Sequence, residues 1–176
     1  MSSSAIPNAR AYFYGNLDTT ALGGAGFASQ RTATEKTVWD LSSYAGIRFE
    51  LVQGDALTYT FILRDELPPV KISNETGELT EQSTIGWEYD FQGPGGNETY
   101  PLGRAYDTKS PTPVSVFAPW ADFKPKFRGR DRPDAAPLRL DNIRRMTLMI
   151  RRYDAISNSC SFRQPLILCS LGPSHP

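Results

Sequence analysis

The residues best suited to binding chemistry lie between positions 120 and 132, in the stretch WADFKPKFRGRDR. Five of these thirteen residues are basic and three are aromatic. Aromatic rings beside guanidinium groups suit single-stranded nucleic acid, because bases stack and phosphates need neutralising. The alternative is an ordered crossover between strands, in which Trp120, Phe123 and Phe127 anchor the chain while lysine and arginine stems cover apolar surface. The prolines in and around the stretch restrict the backbone and favour the crossover.

The distribution of charge argues against nucleic acid as a partner. The chain has 176 residues, with 19 basic and 19 acidic side chains. Residues 1–119 hold 8 basic and 14 acidic side chains, whereas residues 120–176 hold 11 and 5. The larger, acidic part would repel phosphate. The asymmetry therefore indicates either a binding face or a basic edge packed near an acidic one.

Few residues are suited to catalysis. The single histidine, His175, is second from the end of the sequence, where it is poorly placed for a Ser-His-Asp or Cys-His arrangement. Cys160, Cys169 and this histidine do not have the spacing of a tetrahedral zinc site. Glu88 and Asp90 share one face of a predicted strand and offer a carboxylate pair, for which solvent-exposed charge is the simpler interpretation. We predict no catalytic residue, no cofactor and no metal site.

An alternation of apolar and polar residues predicts an all-β fold. GIRFELV and LTYTFILR are separated by a Gly-Asp turn and are predicted to form a hairpin. Other strands are predicted in AYFYGNL, GGAGFASQR, IGWEYDF, PVSVFAPW, RRMTLMIRR and SFRQPLILC. Helical residues are expected only as short turns, in WDLSSYAG and from Asp141 to Arg145. Seven or eight strands with connections rich in glycine and proline predict an antiparallel β-sandwich.

The length of the chain suits one domain. We predict a disordered N-terminus at 1–11, a single sandwich at 12–170 and a tail at 171–176. Two polar segments, 66–82 and 93–113, are expected to be exposed loops. No apolar run reaches the roughly twenty residues of a membrane helix, so no membrane span is predicted. The first ten residues do not have the pattern of a signal or transit sequence, which favours an intracellular protein.

Several stretches occur together in the order found in one family of proteins. They are LDTTALGGAGFASQR, WDLSSYAGIRFELVQGDALTYTFILRDE, WEYDF, VFAPWADFKPKFRGR and APLRLDNIRRMTLMIRR, within residues 12–153. The sequence resembles the NADH:ubiquinone oxidoreductase (complex I) intermediate-associated protein family. Residues typical of the family pattern are Gly24, Phe27, Ser29, Arg31, Trp39, Asp40, Leu41, Tyr44, Gly46, Trp120, Phe123, Arg128, Gly129 and Arg130.

The resemblance implies a galactose-binding-domain-like jelly-roll sandwich without enzymatic activity, acting as an assembly factor that binds a protein partner. Family domains usually begin with strands before the equivalent of Tyr12, so the resemblance also implies that one or two N-terminal strands are missing. The predicted partner or ligand contacts are Trp120, Arg128, Arg130 and Arg31. The family points to mitochondria, while the sequence itself leaves the cytoplasm equally open.

Two other functions are compatible with the sequence. One is a small-ligand or carbohydrate-binding sandwich, in which Trp39, Trp87 or Trp120 would stack on a sugar ring, although burial in the core is the simpler use of each tryptophan. The other is an accessory isomerase of a small-molecule pathway, with Glu88 or Asp90 as the working carboxylate. Both are expectations that depend on which of these side chains reach the surface.

Overall fold

The computed structural model describes residues 10–18, 26–33, 36–51, 57–92, 114–152 and 159–173. These residues contain two short 3-10 turns, at Trp120–Asp122 and Leu140–Asn142. Their twelve strands are β1 Arg10–Asp18, β2 Gly26–Arg31, β3 Tyr44–Leu51, β4 Thr58–Arg64, β5 Val70–Ile72, β6 Leu79–Glu81, β7 Gly86–Gln92, β8 Val114–Pro119, β9 Lys124–Phe127, β10 Arg130–Asp131, β11 Arg145–Arg152 and β12 Ser159–Pro173.

The strands form two main sheets that pack face to face. One sheet has four strands in the order β1-β12-β3-β8, and the other has six in the order β10-β9-β7-β4-β11-β2. Every strand pairing described is antiparallel. Strands β5 and β6 pair only with each other, as a separate hairpin. The chain is thus an antiparallel β-sandwich, as the alternation predicted, and it is of the jelly-roll type that the family resemblance implied.

Apolar side chains from both sheets meet in a single core. Alternate residues of β3 point inward, and Phe49 and Leu51 are completely buried. The ring of Phe49 stacks on that of Phe91 at 4.9 Å and meets the edge of Phe61 at 5.1 Å between centroids. These contacts join β3 in the four-stranded sheet to β7 and β4 in the six-stranded sheet. Burial of these rings, together with the other apolar side chains of the core, stabilises the sandwich.

The predicted hairpin between GIRFELV and LTYTFILR is wrong, although both segments are strands. β3 pairs with β12 and β8, whereas β4 pairs with β7 and β11 in the opposite sheet. Both strands turn their apolar residues toward the same core from opposite sides. Two strands that face each other across a core show the same alternation as two strands that are hydrogen-bonded side by side. The pattern alone therefore could not distinguish the two arrangements.

The stretch WADFKPKFRGRDR is a crossover, as the alternative interpretation predicted. It leads from β8 in one sheet to β9 in the other, and Phe123 is 3% exposed within the core. A tight turn then connects β9 to β10, with positive φ angles of 51° at Arg128 and 75° at Gly129. Glycine adopts this conformation at little cost, whereas an arginine does so only in a constrained turn.

Other connections differ from expectation in detail. Segment 66–82 is exposed as predicted, but it contains the β5–β6 hairpin. Segment 93–113 lies outside the described residues. The turn expected from Asp141 to Arg145 is shorter: it covers Leu140–Asn142, Asp141 lies inside it instead of capping it, and Arg145 already belongs to β11. The isolated bridge between Trp39 and Ile143 leaves too little chain for a longer helix.

Candidate functional site

The six-stranded sheet turns one face away from the core, and this surface is called the outer face. Alternation along the strands and the register between them assign its residues. Across the sheet they are Phe27, Ser29 and Arg31 on β2; Arg145, Thr147, Met149 and Arg151 on β11; Thr60, Ile62 and Arg64 on β4; Glu88 and Asp90 on β7; and Lys124 and Lys126 on β9. The outer face therefore brings together carboxylates and cations that are far apart in sequence.

A largely buried ion-pair network occupies the middle of the outer face. The Nη2 of Arg151 lies 2.5 Å from Oε2 of Glu88, and Nζ of Lys126 lies 3.6 Å from the same oxygen. Arg151 also donates to the hydroxyl of Thr60 at 3.0 Å, and that hydroxyl donates to Oδ1 of Asp90 at 2.5 Å. With a side chain only 9% exposed, Glu88 does not match the expectation of solvent-exposed charge, whereas Asp90 at 50% does. The network fastens β7, β4, β11 and β9 together.

A cleft of about 400 Å³ opens beside this network. β9 pairs with β7 along residues 86–88, and the 3-10 turn at Trp120–Asp122 comes just before β9. Burial raises the pKa of Tyr89, and the charge of Asp122 adds to this effect. The lining residues are Glu88, Tyr89, Asp90, Ala121, Asp122, Lys124 and Lys126. A ligand with hydroxyl groups, or a ligand that carries both a positive and a negative charge, would find hydrogen-bond donors and acceptors there.

The β5–β6 hairpin reaches the other end of the outer face through Glu81. The carboxylate of Glu81 accepts a hydrogen bond of 2.6 Å from Nη1 of Arg31 and bonds of 3.2 and 3.1 Å from Nη1 and Nη2 of Arg145. The side chain of Arg145 is 6% exposed, and that of Arg31 is 52% exposed. The bonds from Arg31 first, and then from Arg145, lower the pKa of Glu81. One carboxylate therefore serves two guanidinium groups, one of them buried.

Residues 82–85 follow the hairpin and lead to β7. This segment lies on the sheet and is called the strap. Arg64 donates to the carbonyl oxygen of Thr84 at 2.8 Å, and Nε of Arg128 donates to the hydroxyl of Ser83 at 3.0 Å. Arg64 lies directly opposite Arg145 in the sheet. Burial, followed by the charge of Arg145, lowers the pKa of Arg64. This end of the outer face thus has a surplus of positive charge that the hairpin and strap partly compensate.

The predicted contacts Arg31, Arg128 and Arg130 lie around this end of the sheet. Arg31 on β2 and Arg128 after β9 are on opposite sides, yet both bind the segment that contains Glu81 and Ser83. The guanidinium of Arg128 also lies 5.6 Å from the ring centroid of Phe127. Arg130 is exposed on β10. Two of the contacts predicted from the sequence, Arg31 and Arg128, therefore bind the same segment of the chain.

The fourth predicted contact, Trp120, is integrated into the scaffold. Its indole nitrogen donates a 2.6 Å hydrogen bond to the carbonyl oxygen of Tyr44, and its ring lies 5.7 Å from that of Phe123. Trp39 and Trp87 are likewise half-buried against the core. Core packing, the simpler of the two expectations for the tryptophans, is what the structure shows.

Two residues of this candidate site, Glu81 and Arg145, were not identified from the sequence. They are 64 positions apart, and they meet only because the hairpin lies over the end of β11. The alternation in RRMTLMIRR places Arg145 on the face opposite Met146 and Leu148, which is the outer face, so its orientation could have been predicted. Nothing in the sequence near either residue specifies that they form a pair.

Comparison with known proteins supplies the affiliation of the chain. Residues 1–163 match the model of the family described as complex I intermediate-associated protein 30. The chain belongs to this family. An uncharacterized protein of Schizosaccharomyces pombe is 35% identical over 162 residues, which cover 92% of this chain. The same alignment covers 64% of that relative, so the chain spans about two thirds of its length.

Among solved structures, the chain is similar to a family 11 carbohydrate-binding module from Clostridium thermocellum, determined in complex with a β-1,3-1,4-mixed-linked tetrasaccharide. It is 15% identical, the match covers 98% of this chain and 94% of the module, and the TM-score is 0.41.

Several residues of the family pattern hold the scaffold in place. Trp39 and Ile143 exchange backbone hydrogen bonds of 2.9 and 3.0 Å, and the side chain of Asp40 accepts a bond of 3.0 Å from the backbone nitrogen of Ser42. A Cβ atom on Gly46 would lie 2.4 Å from a backbone oxygen of β8, which leaves no space for a side chain. Trp39, Asp40 and Gly46 therefore have structural roles in this region.

The part of the chain that the structure describes has neither a cluster of metal-binding side chains nor a membrane-spanning helix. Within it, no group of three or more histidine, cysteine, aspartate or glutamate side chains is arranged to hold a metal ion. The helical segments of that part are single 3-10 turns of three residues, and none is long and apolar enough to cross a membrane.

Proposed function

We propose that the chain is a non-enzymatic protein-binding module that acts in the assembly of respiratory complex I in mitochondria. The observation that carries the proposal is the match of residues 1–163 to the complex I intermediate-associated protein 30 family. The fold is consistent with this role, since a sandwich of this kind can present side chains for binding without any catalytic group. The ion pairs of Glu88 with Lys126 and Arg151 also favour a binding module over an enzyme, because they engage the carboxylate that an isomerase would need.

We further propose that the β5–β6 hairpin is the main contact with the partner. Val70, Ile72 and Leu79 are 54%, 65% and 67% exposed, and the register places them on the same face as Glu81. Exposed apolar side chains on a projecting hairpin are costly to keep in water unless a partner covers them. Arg31 and Arg128 flank this region, and arginine is enriched in protein interfaces.

Replacement of two exposed apolar residues of the hairpin tests this proposal. In the variant Ile72→Ser/Leu79→Ser, we expect recovery of complex I subunits and intermediates from mitochondrial extract to fall about tenfold or more, as for loss of a hot spot. The thermal melt should be almost unchanged, because both side chains lie outside the core. Val38→Ser is the matched control, since Val38 is 48% exposed and distant in sequence. Equal recovery with both variants would contradict the assignment of the hairpin, and no complex I protein with the unsubstituted chain would contradict the function itself.

A small polar ligand or carbohydrate is the second candidate, and the cleft beside β7 is the observation that favours it. Asp122 and Lys124 line this cleft and are exposed. A glycan array followed by titration calorimetry would test the candidate, with Asp122→Asn/Lys124→Gln as the variant that should lose binding. Absence of binding by the unsubstituted chain would leave protein binding as the function.

A further inference from the structure

A single carboxylate, Glu81, bridges a buried arginine and an exposed arginine on two neighbouring strands. Arg145 on β11 presents both terminal nitrogens to the two oxygens of Glu81, and Arg31 on β2 binds one of these oxygens. A forked guanidinium facing a carboxylate is the geometry of specific carboxylate recognition. Both arginines belong to the rigid sheet, whereas the carboxylate comes from the hairpin.

The need for an anion is a property of the sheet. Arg64 and Arg145 face each other on adjacent strands, and like charges in this position repel. Arg31 adds a third cation next to them. A buried guanidinium is costly without a carboxylate close by. Any carboxylate that reached these residues would therefore be attracted as Glu81 is.

The connection between the hairpin and the sheet is weak. Every residue of β5 and β6 is exposed, and neither strand pairs with a strand of the two main sheets among the described residues. Polar contacts hold the hairpin and strap to the sheet: Glu81, Ser83 and Thr84 accept hydrogen bonds from arginine side chains, and Glu81 forms ion pairs with two of these arginines. Ile72 and Leu79 are 65% and 67% exposed, so neither side chain anchors the hairpin in the core. The hairpin can therefore leave the sheet when another carboxylate replaces Glu81 and water replaces its other hydrogen-bond partners.

We propose that Arg31 and Arg145 form a carboxylate-binding site that Glu81 fills within the chain, and that an acidic side chain of the partner protein takes its place when the hairpin engages that partner. The partner segment combines an aspartate or glutamate with apolar residues that cover Ile72 and Leu79. Glu81 then acts as an internal competitor that keeps the site closed until a partner with this composition arrives. The identity of the ligand as a partner side chain rests on the proposed function, whereas the carboxylate site itself does not.

The variant Glu81→Ala tests the site, with sodium acetate as the probe. Acetate should raise the melting temperature of this variant by about 2 °C more than sodium chloride does at equal ionic strength, as for a weak ligand that binds only the folded state. The unsubstituted chain should show no such difference, because its own carboxylate occupies the site. Glu78→Ala is the control for loss of a hairpin carboxylate, and Glu81→Ala/Arg31→Gln should lose most of the acetate effect.

The same variants test the competition with the partner. Removal of an internal competitor raises the apparent affinity by the inverse of the open fraction, so Glu81→Ala should recover several-fold more complex I protein than the unsubstituted chain. Arg31→Gln should recover less, and Glu78→Ala should match the unsubstituted chain. Lack of an acetate-specific rise in Glu81→Ala would overturn the site. An acetate effect with unchanged or reduced recovery would overturn the competition, whereas an acetate effect with no complex I protein recovered from any variant would support the site and contradict only the proposed function.

Discussion

The ion pair between Glu88 and Arg151 should stabilise the sandwich measurably. Its atoms are 2.5 Å apart, and the two side chains are only 9% and 20% exposed. Loss of one partner of a fully buried pair costs about 3 to 5 kcal/mol, whereas an exposed pair contributes about 0 to 1 kcal/mol. Because Arg151 in Glu88→Gln keeps its bond to Thr60 and some contact with water, we expect an intermediate loss of about 2 kcal/mol. For a chain of this length, the melting temperature would fall by about 4 to 8 °C.

A double-mutant cycle with Arg151→Met would isolate the interaction between the two side chains. Urea unfolding of the four proteins, followed by tryptophan fluorescence, should give a coupling of about 1 to 2 kcal/mol. Asp134→Asn is the control, since its 3.0 Å ion pair with Arg132 is exposed, and it should change stability little. If Glu88→Gln is no more destabilising than this control, or the cycle gives no coupling, the interpretation of Glu88 as part of the scaffold is wrong.

Three further predictions concern the scaffold, the hairpin and the basic turn. Gly46→Ala should destabilise the chain by about 2 to 3 kcal/mol in a thermal or urea melt, since its Cβ would overlap the carbonyl oxygen of Ala118, which cannot move independently of β8. Arginine hydrogen bonds depress the pKa of Glu81 below its ordinary 4.5, so the stability that they contribute should be complete above that pH and lost as the pH falls through the depressed pKa. In acid unfolding, Glu81→Gln should lack this loss of stability. An identical dependence of stability on pH in both proteins would contradict the prediction. Arg128→Ala/Arg130→Ala should change the free energy of unfolding by only about 0.5 kcal/mol, yet it should reduce the amount of partner recovered. If recovery falls only because the variant is unfolded, the turn is part of the scaffold.

The longer strands were predictable because the signal for each is local. In β3, β4 and β7 the apolar residues alternate with polar ones, and the structure buries Phe49, Phe61 and Phe91 as that alternation requires. The arrangement of strands was less accessible, since the register of β3 with β12 depends on residues more than a hundred positions apart. Alternation specifies which side chains face the core, but it does not specify which neighbour completes the hydrogen bonds.

The candidate site was partly predictable for the same reason. Arg31 and Arg128 could be selected as basic residues within a recognisable pattern, and Glu88 and Asp90 as carboxylates on one strand face. The burial of Glu88 was not predictable, because it depends on Arg151 reaching across β4 from a distant strand. Pairing of charges across a sheet becomes visible only once the strand order is known.

The pairing of β1 with β12 has a consequence for the synthesis of the chain. These are the first and last of the described strands, and β12 also separates β1 from β3 in the four-stranded sheet. A ribosome releases residues 10–18 long before residues 159–173, so β1 has to wait for its neighbour, and β3 keeps an open edge until the same moment. Contacts between such distant segments slow folding, and an open strand edge promotes association with other chains. The sandwich therefore closes only after β12 has emerged, and until then β1 and β3 have strand edges that can pair with other chains.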